Sequence, residues 1–184
     1  DGLLDAFVEA SRFLEREGVG AITTNCGFLV KFQRQMAAAV RVPVFTSSLL
    51  LVPLVHRLLG PGRRVGIMTV NAPSLTPEHL DGAGIAADIP LAVVGMETEK
   101  EFTRVLLDDE LELDVGAARQ EHIRVARRLA AEHPDLGAIV LECTNMPPYA
   151  ADVQRVTGLP VFDIGSLVTM AHGALRAGAP PRPA

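Results

Sequence analysis

The stretch GAITTNC, residues 20–26, returns as GAIVLEC at residues 137–143. In both copies Gly-Ala-Ile leads into a short segment that ends on a cysteine, Cys26 in one and Cys143 in the other. The separation is 117 positions, and it recurs without a gap. Pro43-Val44-Phe45 stands that far before Pro160-Val161-Phe162, and Glu15 and Val19 that far before Glu132 and Leu136. Self-similarity at one fixed offset marks a duplicated supersecondary unit. The chain is therefore read as α/β, two copies of one unit with a cysteine in each.

Working outward from the two cysteines, strands and helices alternate. Helical spacing of Leu4, Phe7, Val8 and Leu14 predicts a helix over 3–16, ended by Gly18 and Gly20. Short buried strands are expected at 21–25 and 42–46, with helices at 28–40 and 49–59. Gly60-Pro61-Gly62 is the strongest breaker and sets a domain boundary. Beyond it, strands are expected at 64–70, 89–96, 137–142 and 160–164. Helices are expected at 76–81 (Thr76 as N-cap, Pro77 in the first turn), 99–107, 114–132, 148–156 and 166–176. The resulting division is a first unit of residues 1–61 joined by the helix 166–177, a second unit of 62–165, and a disordered tail at 178–184. Alternating strands and helices imply parallel sheets covered on both faces. Ligands bind beyond the carboxyl ends of such strands, where both cysteines fall.

The repeat carries one more expectation. The strand at 64–70 opens the second unit, and its counterpart in the first unit would precede Asp1. The first unit is thus expected to lack its N-terminal strand, within a deficit of roughly fifty residues.

Composition narrows the function. The 184 residues are 48% apolar and 21% charged, with a net charge of −5 and only 4% aromatics. Base-stacking and phosphate-binding proteins need aromatics and positive charge, so no nucleic-acid partner is expected. No apolar run reaches bilayer length, which argues against a membrane partner, and a cytoplasmic location is the simplest expectation. Two cysteines are too few for a disulfide framework. No GxGxxG, Walker loop or HExxH is present, so no cofactor and no metal are expected. The five histidines lack ligand spacing and are read as surface or satisfied residues, and Tyr149 as a packing residue.

Two related units facing each other would set Cys26 and Cys143 on opposite walls of one cleft. One thiolate could remove a proton from a carbon bearing a weakly acidic hydrogen while the opposite thiol returns one to the other face. Developing charge on the substrate needs hydrogen-bond donors. Asn25, Gly27, Thr144 and Asn145 flank the cysteines, Thr46 and Ser47 end one strand, and Thr69 and Asn71 end another; all are candidate substrate-binding residues. Thr46 and Ser47 also stand where they would cap the helix from Leu49, and Thr69 and Asn71 where they would shape the turn before Pro73.

AITTNCGF at 21–28 and AIVLECTNMPPYA at 138–150 resemble the two cysteine motifs of the aspartate/glutamate/hydantoin racemase superfamily. VPVFTSS at 42–48, RRVGIMT at 63–69 and LPVFDI at 159–164 extend the resemblance over nearly the whole chain. It implies two pseudo-symmetric flavodoxin-like units with the site between them, Cys26 and Cys143 as the acid/base pair, no cofactor, and a homodimer. It also implies that Asn25, Thr144 and Asn145 contact a substrate carboxylate. Two positions depart from the pattern. Gly27-Phe28 stands where amino-acid racemases carry Asn-Thr, and Asn145 where glutamate racemases carry His. The superfamily also contains maleate isomerases, which use one nucleophilic cysteine, and arylmalonate decarboxylases, which keep only one cysteine; the presence of two argues against the latter. The leading expectation is a cofactor-independent racemase or epimerase of a small-molecule carboxylate. The alternatives are a cis–trans isomerase or lyase working through one cysteine, and a binding domain without catalysis.

Overall fold

The structure, a computed structural model, describes residues 2–176. The tail expected at 178–184 lies outside the described residues.

The first unit opens with helix α1 (Gly2–Arg16), whose Leu4 and Phe7 pack on Ile22, Met36 and Val44. Strand β1 (Ile22–Thr23) leads into a 3-10 turn (Gly27–Phe32) and helix α2 (Gln33–Ala39). Strand β2 (Val44–Phe45) leads into a second 3-10 turn (Ser48–Leu51) and helix α3 (Val52–Leu58). The helices expected at 28–40 and 49–59 therefore begin as 3-10 turns. Cys26 is still extended (φ −137°, ψ 114°), and the chain must turn sharply to cover the strand it has just left. Pro53 falls in the first turn of α3, where a missing N–H costs no hydrogen bond.

After Gly60-Pro61-Gly62 the chain forms β3 (Arg64–Thr69), α4 (Pro77–Gly82), β4 (Leu91–Gly95), α5 (Glu101–Leu107), α6 (Val115–Glu132), β5 (Leu136–Leu141), α7 (Ala150–Thr157) and β6 (Val161–Phe162), followed by the last helix, α8 (Ile164–Arg176). Its caps follow from sequence. Thr76 and His79 form a reciprocal box at the start of α4, Asp114 accepts from the Ala117 amide, and Gly158 ends α7 in the left-handed region (φ 69°). Glu121 on α6 accepts from the amides of Lys100, Glu101 and Phe102, satisfying the N-terminus of α5.

The strands form two parallel sheets. One holds β1 and β2; the other has the order β4-β3-β5-β6. Side chains alternate across the larger sheet. Met68, Ile139 and Leu141 join a core with α5, α6 and α7, while Val65, Ile67, Ala138 and Val140 join a core with Val52, Val55 and Leu167 from α3 and α8. Helices thus cover both faces. Among the described residues β1 has a strand on one side only. Grooves of about 260 and 270 Å³ flank it, one against α8 and the other against α1.

The duplication is present in the register. Ile22 pairs with Val44 and Thr23 with Phe45; 117 positions later Ile139 pairs with Val161 and Val140 with Phe162. The Ile22 amide donates to Pro43 O at 2.9 Å, and the Ile139 amide to Pro160 O at 2.9 Å.

One expectation about histidine is corrected. His122 is neither exposed nor fully satisfied. Nδ1 lies 2.7 Å from Ala118 O, but the buried Nε2 has no partner among the described residues, because α6 turns this face into a core formed with Phe102 and Tyr149; His56 Nδ1 is likewise buried without a partner among them. Burial lowers the pKa of His122, so that ring is held neutral.

Candidate active site

Both cysteines stand at carboxyl ends of strands and begin the same local turn. The Leu29 amide donates to Cys26 O at 3.1 Å, and the Met146 amide donates to Cys143 O at 3.1 Å. The two loops meet: the Thr144 hydroxyl donates to the backbone carbonyl of Asn25, the residue before Cys26. A further clasp comes from Ser48, whose buried hydroxyl donates to Leu141 O at 2.6 Å, with Glu142 O 3.3 Å away.

The two thiols differ in surroundings. Cys26 is exposed, whereas Cys143 is half-buried. Burial is the main cause pushing the Cys143 thiol up to about 11; the Asn145 amide opposes it, and the nearby charges of Glu142 and Cys26 add to it. Asn145 Nδ2 lies 3.9 Å from Cys143 Sγ. Cys143 is therefore a thiol at neutral pH, whereas Cys26 is open to solvent.

The remaining candidates fall into two groups. Asn25, Gly27, Thr144 and Asn145 surround the cysteines, and Thr69 closes β3 beneath them. Thr46, Ser47 and Asn71 are engaged elsewhere. The Thr46 hydroxyl donates to Gln33 Oε1 at 2.6 Å, Ser47 Oγ accepts from the Leu49 amide at 3.2 Å, and Asn71 Oδ1 accepts from the Ser74 amide at 3.0 Å. Gln33 also receives the Thr46 amide and donates to Val44 O, so it pins the end of β2.

Glu142 was not among the expected site residues. It immediately precedes Cys143, is only 3% exposed, and accepts a 2.8 Å hydrogen bond from Thr69 Oγ1. Burial raises its carboxyl to about 7, with the Thr69 bond opposing. The carboxylate lies against Gly27, where a Cβ would overlap it and stand 2.5 Å from the Glu142 carbonyl oxygen. The available signal was a charged residue closing six apolar strand positions at the carboxyl end, where ligands bind.

Comparison with known proteins places the chain in a family. Residues 2–171 match the family described as Asp/Glu/hydantoin racemase. The chain is similar to a dimethylsulfoniopropionate lyase of Durusdinium sp. clade D, 38% identical over 162 residues, covering 85% of this chain and 53% of that protein. It is also similar to dimethylsulfoniopropionate lyase 7 of Emiliania huxleyi (strain CCMP1516), 31% identical over 171 residues, covering 89% and 50%. The chain thus spans about half the length of these curated relatives. Among solved structures, an arylmalonate decarboxylase superposes with a TM-score of 0.66 at 18% identity, over 98% of this chain and 79% of that one. The allantoin racemase of Klebsiella pneumoniae superposes with a TM-score of 0.64 at 19% identity, over 93% and 65%. At these identities the superpositions speak for the fold, a two-domain flavodoxin-like arrangement. The family match runs through both cysteine loops, and on that ground the chain belongs to the Asp/Glu/hydantoin racemase family.

Proposed function

We propose that this chain carries the cysteine site of a lyase acting on a β-sulfonio carboxylate such as dimethylsulfoniopropionate. A base removes a proton from the carbon next to the carboxylate. The C–H electron pair becomes the new C=C bond, and the C–S pair leaves with the sulfur. The products are acrylate, dimethyl sulfide and one proton, so the step needs no other reactant.

The observation that carries this reading is the pair of unlike cysteines on loops joined by the Thr144–Asn25 bond. Cys26, solvated, serves as the base. Cys143, held as a thiol, donates toward the carboxylate as it takes on enolate charge, while the Asn145 amide steadies its sulfur. Racemisation begins with the same proton removal; the two outcomes part only at the β-carbon, where a leaving group diverts the carbanion before it is reprotonated. The similarity to dimethylsulfoniopropionate lyases supports the lyase over the racemase as the leading reading.

The test is headspace chromatography of dimethyl sulfide over the chain incubated with dimethylsulfoniopropionate, with acrylate followed by NMR. A parallel panel of chiral amino acids and hydantoins in heavy water reads α-proton exchange. Dimethyl sulfide release without exchange in the panel supports the lyase. Exchange with inversion and no release returns the assignment to a racemase.

A further inference from the structure

The reading above leaves open how such a site recognises its leaving group, and one residue between the two cysteine loops has no part in the proton transfer. Glu142 is a buried carboxyl whose one hydrogen-bond donor is Thr69, and it belongs to none of the ion pairs among the described residues. A buried carboxylate is normally paired or richly hydrogen-bonded, and one that is not calls for a functional reason.

Its position supplies one. It precedes Cys143 in the chain and lies against Gly27, the residue after Cys26, so it sits between the two cysteine loops. Gly27 is what admits it, because any side chain there would occupy the volume of the carboxylate. The departure from the family pattern at Gly27 and the carboxyl at Glu142 are thus two halves of one arrangement.

We propose that Glu142 is the specificity residue of the cleft, a negative pole that selects substrates carrying a cationic group on the β-carbon. This rests on the lyase reading. A sulfonium ion has no N–H or O–H to donate, so a protein recognises it through negative charge or through the face of an aromatic ring, and Glu142 supplies the first of these beside the cysteine loops. Burial raises the carboxyl, and a cation beside it favours the ionised form.

The test compares two isosteric inhibitors of dimethyl sulfide release by the full chain: 3-(trimethylammonio)propionate and the uncharged 4,4-dimethylpentanoate. Wild type is expected to bind the cation at least about tenfold more tightly, and Glu142→Gln to bring the ratio to within about twofold while leaving affinity for the neutral acid in place. Unchanged preference in Glu142→Gln overturns the proposal. If that variant fails to fold, Glu142→Asp decides: its withdrawn charge is expected to keep only part of the preference, and full preference overturns the proposal. Wild type that releases dimethyl sulfide but does not distinguish the two acids removes this inference alone. Wild type that neither releases dimethyl sulfide nor binds either acid removes the lyase reading as well.

Discussion

The hydroxyl of Thr144 donates to the backbone carbonyl of Asn25, joining the loop of Cys143 to the loop of Cys26 across the two sheets. Replacing it by Val keeps the shape and removes the bond. Thr144→Val is expected to lower stability by about 1 kcal/mol, read by urea denaturation. Turnover should fall by more than that stability loss explains, because the loops lose their mutual position. Thr144→Ser, which keeps the hydroxyl, should restore most of both. Equal loss in the Ser and Val variants would show that the hydroxyl is not the connection.

The unlike surroundings of the thiols predict an order of modification. At pH 8 iodoacetamide should label Cys26 well before Cys143, whose thiol burial holds up at about 11. Mass spectrometry of timed samples reads the order, and labelling of Cys143 first would refute the assignment of base and thiol. Cys26→Ala should slow dimethyl sulfide release by about 10²- to 10⁴-fold, the usual scale for a lost general base.

Glu142 links stability to pH. Its carboxyl titrates near 7 in the fold instead of at the ordinary 4.5. Between those values the folded chain retains a proton that the unfolded chain has released, so stability falls as pH rises from about 4.5 to 7. At about 1.4 kcal/mol per pKa unit the change is on the order of 3 kcal/mol. Cys143, shifted upward as well, adds a further loss between pH 9 and 11. Glu142→Gln should therefore gain on wild type between pH 5 and pH 8 in urea midpoints, and a constant difference would sink the claim.

Gly27→Ala tests the packing directly. The new methyl group would overlap the Glu142 carboxylate and stand 2.5 Å from its carbonyl oxygen. A cost of roughly 1–3 kcal/mol is expected, the range for overpacked cores, together with loss of activity. A neutral substitution would mean that the Glu142 loop yields easily.

Much of this architecture was legible in the chain. The 117-residue offset, read from Gly-Ala-Ile and Pro-Val-Phe, marks the segments that the structure pairs in identical register as Ile22–Val44 and Ile139–Val161. Thr76-Pro77 announced its helix because capping is local chemistry. The strands at 21–25 and 42–46 shrank to two residues each, since a ladder is counted by its partners and β1 has one neighbour among the described residues. Thr46, Ser47 and Asn71 carry the residue types of a binding site, but type does not say which neighbour a hydroxyl or amide meets first. Glu142 escaped notice because its meaning depends on Thr69 and Gly27, residues distant in sequence and adjacent only in space.

The placement of α3 has a consequence for the whole molecule. It follows β2 in the small sheet, yet it buries Val52 and Val55 against Val65, Ile67 and Val140 of the large one. The two halves each hold a core of their own and share a third one between them. Cleavage at Gly60-Pro61-Gly62 is expected to leave two fragments that bind one another through this shared core, a pair suited to split-protein complementation in which reassembly is read by recovered proteolytic resistance of both fragments.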